Sequence, residues 1–117
     1  MAMDVYGIDP KNSLGKIFRR NIWIWHPMWG YIENEYKDIA SKVKYAHSND
    51  GDGLDNQDAI ILSHLINADL CNGKIISFID SQHNNIYDEY RKKFEVEYYD
   101  FRDFKDFLLS CGGFKIC

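Results

Sequence analysis

Asn21-Ile22-Trp23-Ile24-Trp25-His26-Pro27-Met28-Trp29-Gly30-Tyr31 contains all three tryptophans of the chain, one of its two prolines and one of its four histidines. How this stretch is read decides where the first helix begins and what the indoles face. Proline confines the residue before it to extended backbone and is suited to the first turn of a helix. The sequence therefore predicts either a strand covered on both faces or an extended lead-in over Phe18 to Trp25, and a helix over roughly 27–43. Met28, Tyr31 or Ile32, Tyr36, Ile39 and Val43 supply its buried face at spacings of three and four. In an extended lead-in, Trp23 and Trp25 share a side. They either anchor a core or line a pocket.

Upstream, residues 1–16 carry Gly7, Pro10, Asn12, Ser13 and Gly15 and read as a turn-rich arm. Downstream, Tyr45 to Asp55 contains Asn49-Asp50-Gly51-Asp52-Gly53 and no helical period, so it reads as a loop. Asp55 followed by Asp58 predicts an N-cap. Ile61, Leu62, Leu65, Ile66 and Leu70 form the stripe of the helix that follows, and Gly73 ends it. Ile75, Ile79, Ile86, Tyr90 and Phe94 continue a helical spacing, so helix is expected on both sides of the polar stretch 81–85, where the spacing leaves room for a break. Phe94 to Tyr98 alternates apolar and acidic residues and predicts a short strand. Asp100, with Asp103, is expected to cap a last helix whose inner face is Phe101, Phe104, Phe107 and Leu108. Gly112-Gly113 stops it before an extended tail. The expected fold is one compact α+β domain, predominantly α, with four or five helices and one or two short strands.

The 117 residues are 45% hydrophobic and 15% aromatic, enough for one core without disulfide or metal staples. A net charge of −4 argues against an extended nucleic-acid surface, although Lys16 to Arg20 is locally basic. Cys71, Cys111 and Cys117 are odd in number and include no C-x-x-C pair, which suits reduced thiols in a cytoplasm. No apolar run approaches the ~20 residues of a membrane span, and the first residues lack signal-peptide character. These features predict a soluble, cytoplasmic protein without membrane contact.

Three blocks carry a resemblance. They are Phe18-Arg19-Arg20-Asn21 running into Trp23 through Trp29, then His47 through Asp55, then Phe104 through Cys117 with its Gly112-Gly113-Phe114-Lys115-Ile116-Cys117 end. Together they resemble a family of small uncharacterised proteins of bacteria and their phages. Many such relatives carry a cysteine-rich, zinc-ribbon-like insert before the last helix. Here that region, Asp80 to Ile86, has no cysteine, and His26 stands where arginine is typical of the family. The resemblance implies no activity. Its phage association suggests a counter-defence role, such as sequestering a signalling nucleotide.

The acidic loop gathers oxygen donors of the kind that hard cations take, but in an EF-hand register starting at Ser48 the twelfth position is Ala59, not glutamate. Asp50, Asp52 and Asp55 are the residues a cation would use, and no metal or other cofactor is expected. Gly51 and Gly53 before a capped helix could offer N–H groups to an anion, although no Walker lysine follows them. Exposed indoles stack on flat ligands. The expected site therefore joins Asn21, Trp23, Trp25, His26 and Trp29 to His47, Asn49, Asp50, Gly51 and Gly53 from the loop. The histidines are dispersed and no nucleophile–base spacing appears, so no catalytic residue is assigned. The leading expectation is a non-catalytic binding protein for a nucleotide-like or planar polar ligand. One alternative is a protein–protein inhibitor of a host protein using Tyr87, Tyr90, Tyr98 and Tyr99 with Asp88, Glu89, Glu95 and Glu97. Another is a metal-dependent hydrolase centred on the acidic loop.

Overall fold

Val5, Phe18, Leu54, Phe114 and Ile116 come from four separated segments, yet they stand side by side on one sheet face. Val5 lies opposite both Phe18 and Ile116, and Leu54 lies opposite Phe114. The computed structural model describes residues 2–48, 51–85 and 96–117. Within them the strands are β1 (Ala2–Gly7), β2 (Ile17–Asn21), β3 (Asp52–Asp55) and β4 (Gly113–Ile116). They form one antiparallel sheet in the order β2-β1-β4-β3. The helices are α1 (Ile22–Glu35), the short α2 (Lys37–Ala40), α3 (Asn56–Cys71), α4 (Lys74–Asn85) and α5 (Tyr98–Ser110), with a single 3-10 turn at Ser13–Gly15.

The α+β class and the helical bias hold, but the sheet is larger than one or two short strands. The turn-rich arm contains β1, and the expected loop and tail supply β3 and β4. Three of these strands are short, and β1–β4 pairing joins the two ends of the chain. No local hairpin signal therefore marks it. Gly53 shows how tight the β3–β4 approach is, because a Cβ there would collide with the Phe114 carbonyl.

The first helix begins five residues earlier than Pro27. The Asn21 side chain accepts the Ile24 N–H at 3.1 Å and caps it, so Pro27 lies inside the helix. An internal proline gives up one backbone bond and typically costs ~3 kcal/mol. Here Trp25, Met28, Trp29 and Ile32, all fully buried on one side of α1, offset that cost. The predicted helix over 27–43 is divided, since α1 ends at Glu35 and Tyr36 leaves helical geometry before α2.

Helix α3 matches its sequence signals: Asp55 accepts the Asp58 N–H at 2.8 Å, and Gly73 follows with φ +84°. Leu62, Ile66 and Leu70 are buried, whereas Ile61 and Leu65 stay at the surface. Helix α5 starts before Asp100. Glu97 is its N-cap, and Asp100 answers from the third position by accepting the Glu97 N–H at 2.9 Å. Arg20 then reaches Asp100 at 2.7 Å and Asp103 at 2.9 Å, locking β2 onto α5. The expected strand at 94–98 does not form over its described part, because Tyr98 already opens α5. Phe94 and Glu95, with Ile86 and Tyr90, lie outside the described residues. Helices α3 and α5 pack together beneath the sheet. Between them and α1 the core is aromatic: Trp25 stacks on Trp29 at 5.5 Å, with Phe104 edge-on to both. Among the described residues, no helix is long and apolar enough to cross a membrane.

Candidate functional site

Moving the helix start changes what each indole does. Residues two apart on a helix point about 200° away from each other. Trp23 and Trp25 therefore diverge, correcting the expectation that they share a side. Trp25 and Trp29 are fully buried and belong to the core, while Trp23 is 38% exposed. The Trp25 Nε1–H donates to the Ala46 carbonyl at 2.8 Å, a buried bond that holds the turn after α2 against α1. Asn21 is occupied as the α1 cap. Of the aromatic set proposed as a pocket wall, only Trp23 faces outward.

The same turn delivers His47 to His26. Their Nδ1 atoms lie 2.6 Å apart, and His47 Nε2 lies 2.8 Å from the Glu33 carboxylate. A carboxylate only accepts, so in neutral His47 the proton sits on Nε2 and Nδ1 carries the lone pair. His26 then donates from Nδ1 and keeps a lone pair on Nε2. Partial burial, and after it the neighbouring His47, lower the His26 pKa. This favours the neutral ring.

Trp23, His26, Gly30 and Glu33 are spaced by three and four and form one outward stripe of α1, roughly 15 Å long. A Cβ on Gly30 would meet nothing within 4 Å, so the surface is open between His26 and Glu33. Beyond Glu33 the stripe runs into a polar cleft of about 310 Å³ lined by Lys37, Ser41 and Lys44. Compared with family models, with curated proteins and with solved structures, the chain matches none of them. The candidate site thus stands on this geometry.

The glycine–aspartate loop does not provide the expected anion cradle. The Gly51 N–H is consumed by the Ile116 carbonyl at 2.6 Å, and the Gly53 N–H, opposite Lys115 in the sheet, donates to the Asp52 carboxylate at 3.2 Å. Nor does it provide a cation cage. Asp52 accepts the Tyr45 N–H at 2.9 Å, Asp55 caps α3, and Asp58 pairs with Lys42 at 2.8 Å. Each of these carboxylates is committed to its own part of the backbone or to a lysine. Among the described residues no three metal-ligating side chains converge. Asn49 and Asp50 lie outside the described residues.

A second concavity was not legible as a site. A groove of about 560 Å³ runs between the end of α1, α2 and α3, with Ile39, Ile61 and Leu65 as its apolar lining and Glu35, Lys37 and Asp38 at its rim. Tyr36, which also lines the groove, reaches the buried Asp69, which takes hydrogen bonds from Tyr31 at 2.7 Å and Tyr36 at 2.5 Å on one oxygen, and from Asn72 at 3.2 Å on the other. Burial alone would raise the Asp69 carboxyl, but Tyr36, Tyr31 and Asn72, helped by the Lys74 charge, hold it below the usual carboxylate range. Burial and the same carboxylate push both phenols well above theirs. The available signal was an aspartate within the apolar α3 stripe, seven residues after Leu62 and three after Ile66.

In the alternative acidic and tyrosine-rich surface, Tyr98 and Tyr99 are exposed at the start of α5. Tyr87, Asp88, Glu89, Tyr90 and Glu95 lie outside the described residues. Cys111 is buried, which pushes its thiol pKa up, while Cys71 and Cys117 are exposed.

Proposed function

We propose that the chain is a non-catalytic binding protein that captures a planar polar ligand, such as a nucleobase or nucleotide, against the outer stripe of α1. The carrying observation is the exposed Trp23 indole on the same face as the linked His26, His47 and Glu33, with open surface over Gly30 between them. The indole offers a stacking face, and a base stacked on an aromatic ring gains roughly 1–3 kcal/mol. The imidazoles offer hydrogen-bonding edges. The Lys37 and Lys44 cleft gives an anionic group of such a ligand a place to lie. This replaces a pocket walled by three indoles with a shelf that uses one. Sequestration of a signalling nucleotide in a phage context remains the biological setting the resemblance suggests.

The reading is tested by thermal shift and tryptophan fluorescence against a nucleotide panel. Ligand at 100 times its Kd stabilises the fold by ~2.7 kcal/mol. Because Trp25 and Trp29 are buried, quenching should come from Trp23 and vanish in W23L. A panel that moves neither signal, while a host protein co-purifies, would hand the role to the protein–protein alternative.

A further inference from the structure

We propose that His26 and His47 form a binding site for a borderline divalent transition-metal ion such as Zn²⁺, the ion entering between the two Nδ1 atoms as the proton on His26 Nδ1 moves to the open Nε2 of the same ring. The two imidazole Nδ1 atoms approach to 2.6 Å, each directed at the other. Two neutral rings tolerate that approach only if something electropositive lies between them, and a proton or a metal ion both qualify. Zinc binds imidazole nitrogen at about 2.0–2.1 Å, so two ligands of a tetrahedral ion stand roughly 3.3 Å apart. The rings need to open by only about 0.7 Å to reach that separation. His26 is fixed on α1, whereas His47 is exposed on the turn after α2, so His47 is the ring free to make that movement.

Glu33 supplies the second observation. A metal-bound histidine usually gives its other N–H to a carboxylate, which fixes the tautomer and makes the ring a better donor. Glu33 at 2.8 Å from His47 Nε2 does this, leaving Nδ1 as the donor atom toward His26. Neutral nitrogen ligands select zinc, copper or nickel over calcium or magnesium, which take oxygen. With two side-chain ligands, the remaining coordination positions fall to water or to an incoming donor. The proposed ion is therefore held more weakly than a closed structural zinc, and it stays open to a ligand lying on the α1 stripe.

The test is isothermal titration of the untagged chain with ZnCl₂ at pH 7.5. A C71S/C117S background removes the exposed thiols as competing ligands. One ion per chain should bind, and binding should be lost in H26A and in H47A. E33Q should weaken it by about 10–100-fold. In the wild-type chain, nitrogen NMR of the imidazoles should show Nδ1 of both rings shifting with zinc while His47 Nε2 keeps its proton. Near-ultraviolet circular dichroism of the Trp25–Trp29 stack checks that each variant remains folded. Absence of saturable binding to the C71S/C117S chain overturns the proposal. So does binding that persists in the H26A/H47A double variant, or NMR shifts confined to other histidines.

Discussion

Replacing Asp69 by asparagine tests the polar network that ties α1 to α3. The carboxylate accepts from Tyr31 and Tyr36 through one oxygen and from Asn72 through the other. Hydrogen bonds to a charged group contribute ~1.5–3 kcal/mol each, against ~1 kcal/mol for neutral ones. Asparagine keeps one acceptor for the two phenols at neutral strength and turns its amide toward the Asn72 amide, where two donors face each other. The expected loss is about 3 kcal/mol, which for a chain of this size lowers Tm by roughly 10 °C. Urea unfolding at several pH values reads it. The folded-state pKa of Asp69 is lowered. Its stabilisation is thus fully present above the unfolded value near 4 and fades as pH falls through the lower folded value. The gap between wild type and D69N should stay level from pH 5 to 8 and narrow below about pH 4. The phenols behave oppositely: their raised pKa values make the contribution complete below about pH 10 and lost as pH rises beyond it. A D69N variant within about 0.5 kcal/mol of wild type at pH 7 would refute the reasoning, as would a gap that does not narrow in acid.

Trp25→Phe removes the indole donor to the Ala46 carbonyl and leaves that buried acceptor unpaired, at a cost of ~1–3 kcal/mol. Amide exchange should quicken across 44–48 and stay slow in α5. Asn21→Ala deletes the α1 cap and should cost about 1 kcal/mol in urea unfolding, with N21D close to wild type. Gly53→Ala forces a methyl into the Phe114 carbonyl, so exchange protection should fall at β3 and β4 before it falls at β1 and β2. Acrylamide should quench only the Trp23 share of the fluorescence, and W23L should be nearly silent to it.

Features that depend on a few neighbouring residues were legible in the sequence. The Asp55 cap, the Leu62–Ile66–Leu70 stripe, the Gly73 stop and the Phe101–Phe104–Phe107 face are all set by spacing within one helix. The sheet was not legible, because β1 pairs with β4 across nearly the whole chain and β3 has only four residues in which to show alternation. Asp100 reads as the cap in the sequence, whereas the cap is Glu97, three residues earlier. From the third position of the helix the Asp100 carboxylate accepts the Glu97 N–H, and Arg20, eighty residues away in sequence, pairs with that carboxylate. The glycine-rich loop misled for a related reason. Its N–H groups look available because their partners are not visible locally: Gly51 meets a β4 carbonyl, and Gly53 meets the side chain of Asp52.

Pro27 is where local and tertiary preference part most clearly, and the outcome bears on the site. Local preference puts proline at a helix start, which would have left Trp23 and Trp25 together on an extended strand. The Asn21 cap and the burial of Trp25, Met28 and Trp29 instead extend the helix back through the proline. That one shift turns Trp25 into the core beside Trp29 and away from any ligand, yet it is also what aligns Trp23, His26 and Glu33 on a single stripe. The buried Trp25–Ala46 bond then sets His47 down on that stripe, one residue beyond the carbonyl it holds. Core and candidate site therefore share an anchor. The indole that looked most like a ligand platform acts instead by positioning the histidine that a ligand or an ion would meet.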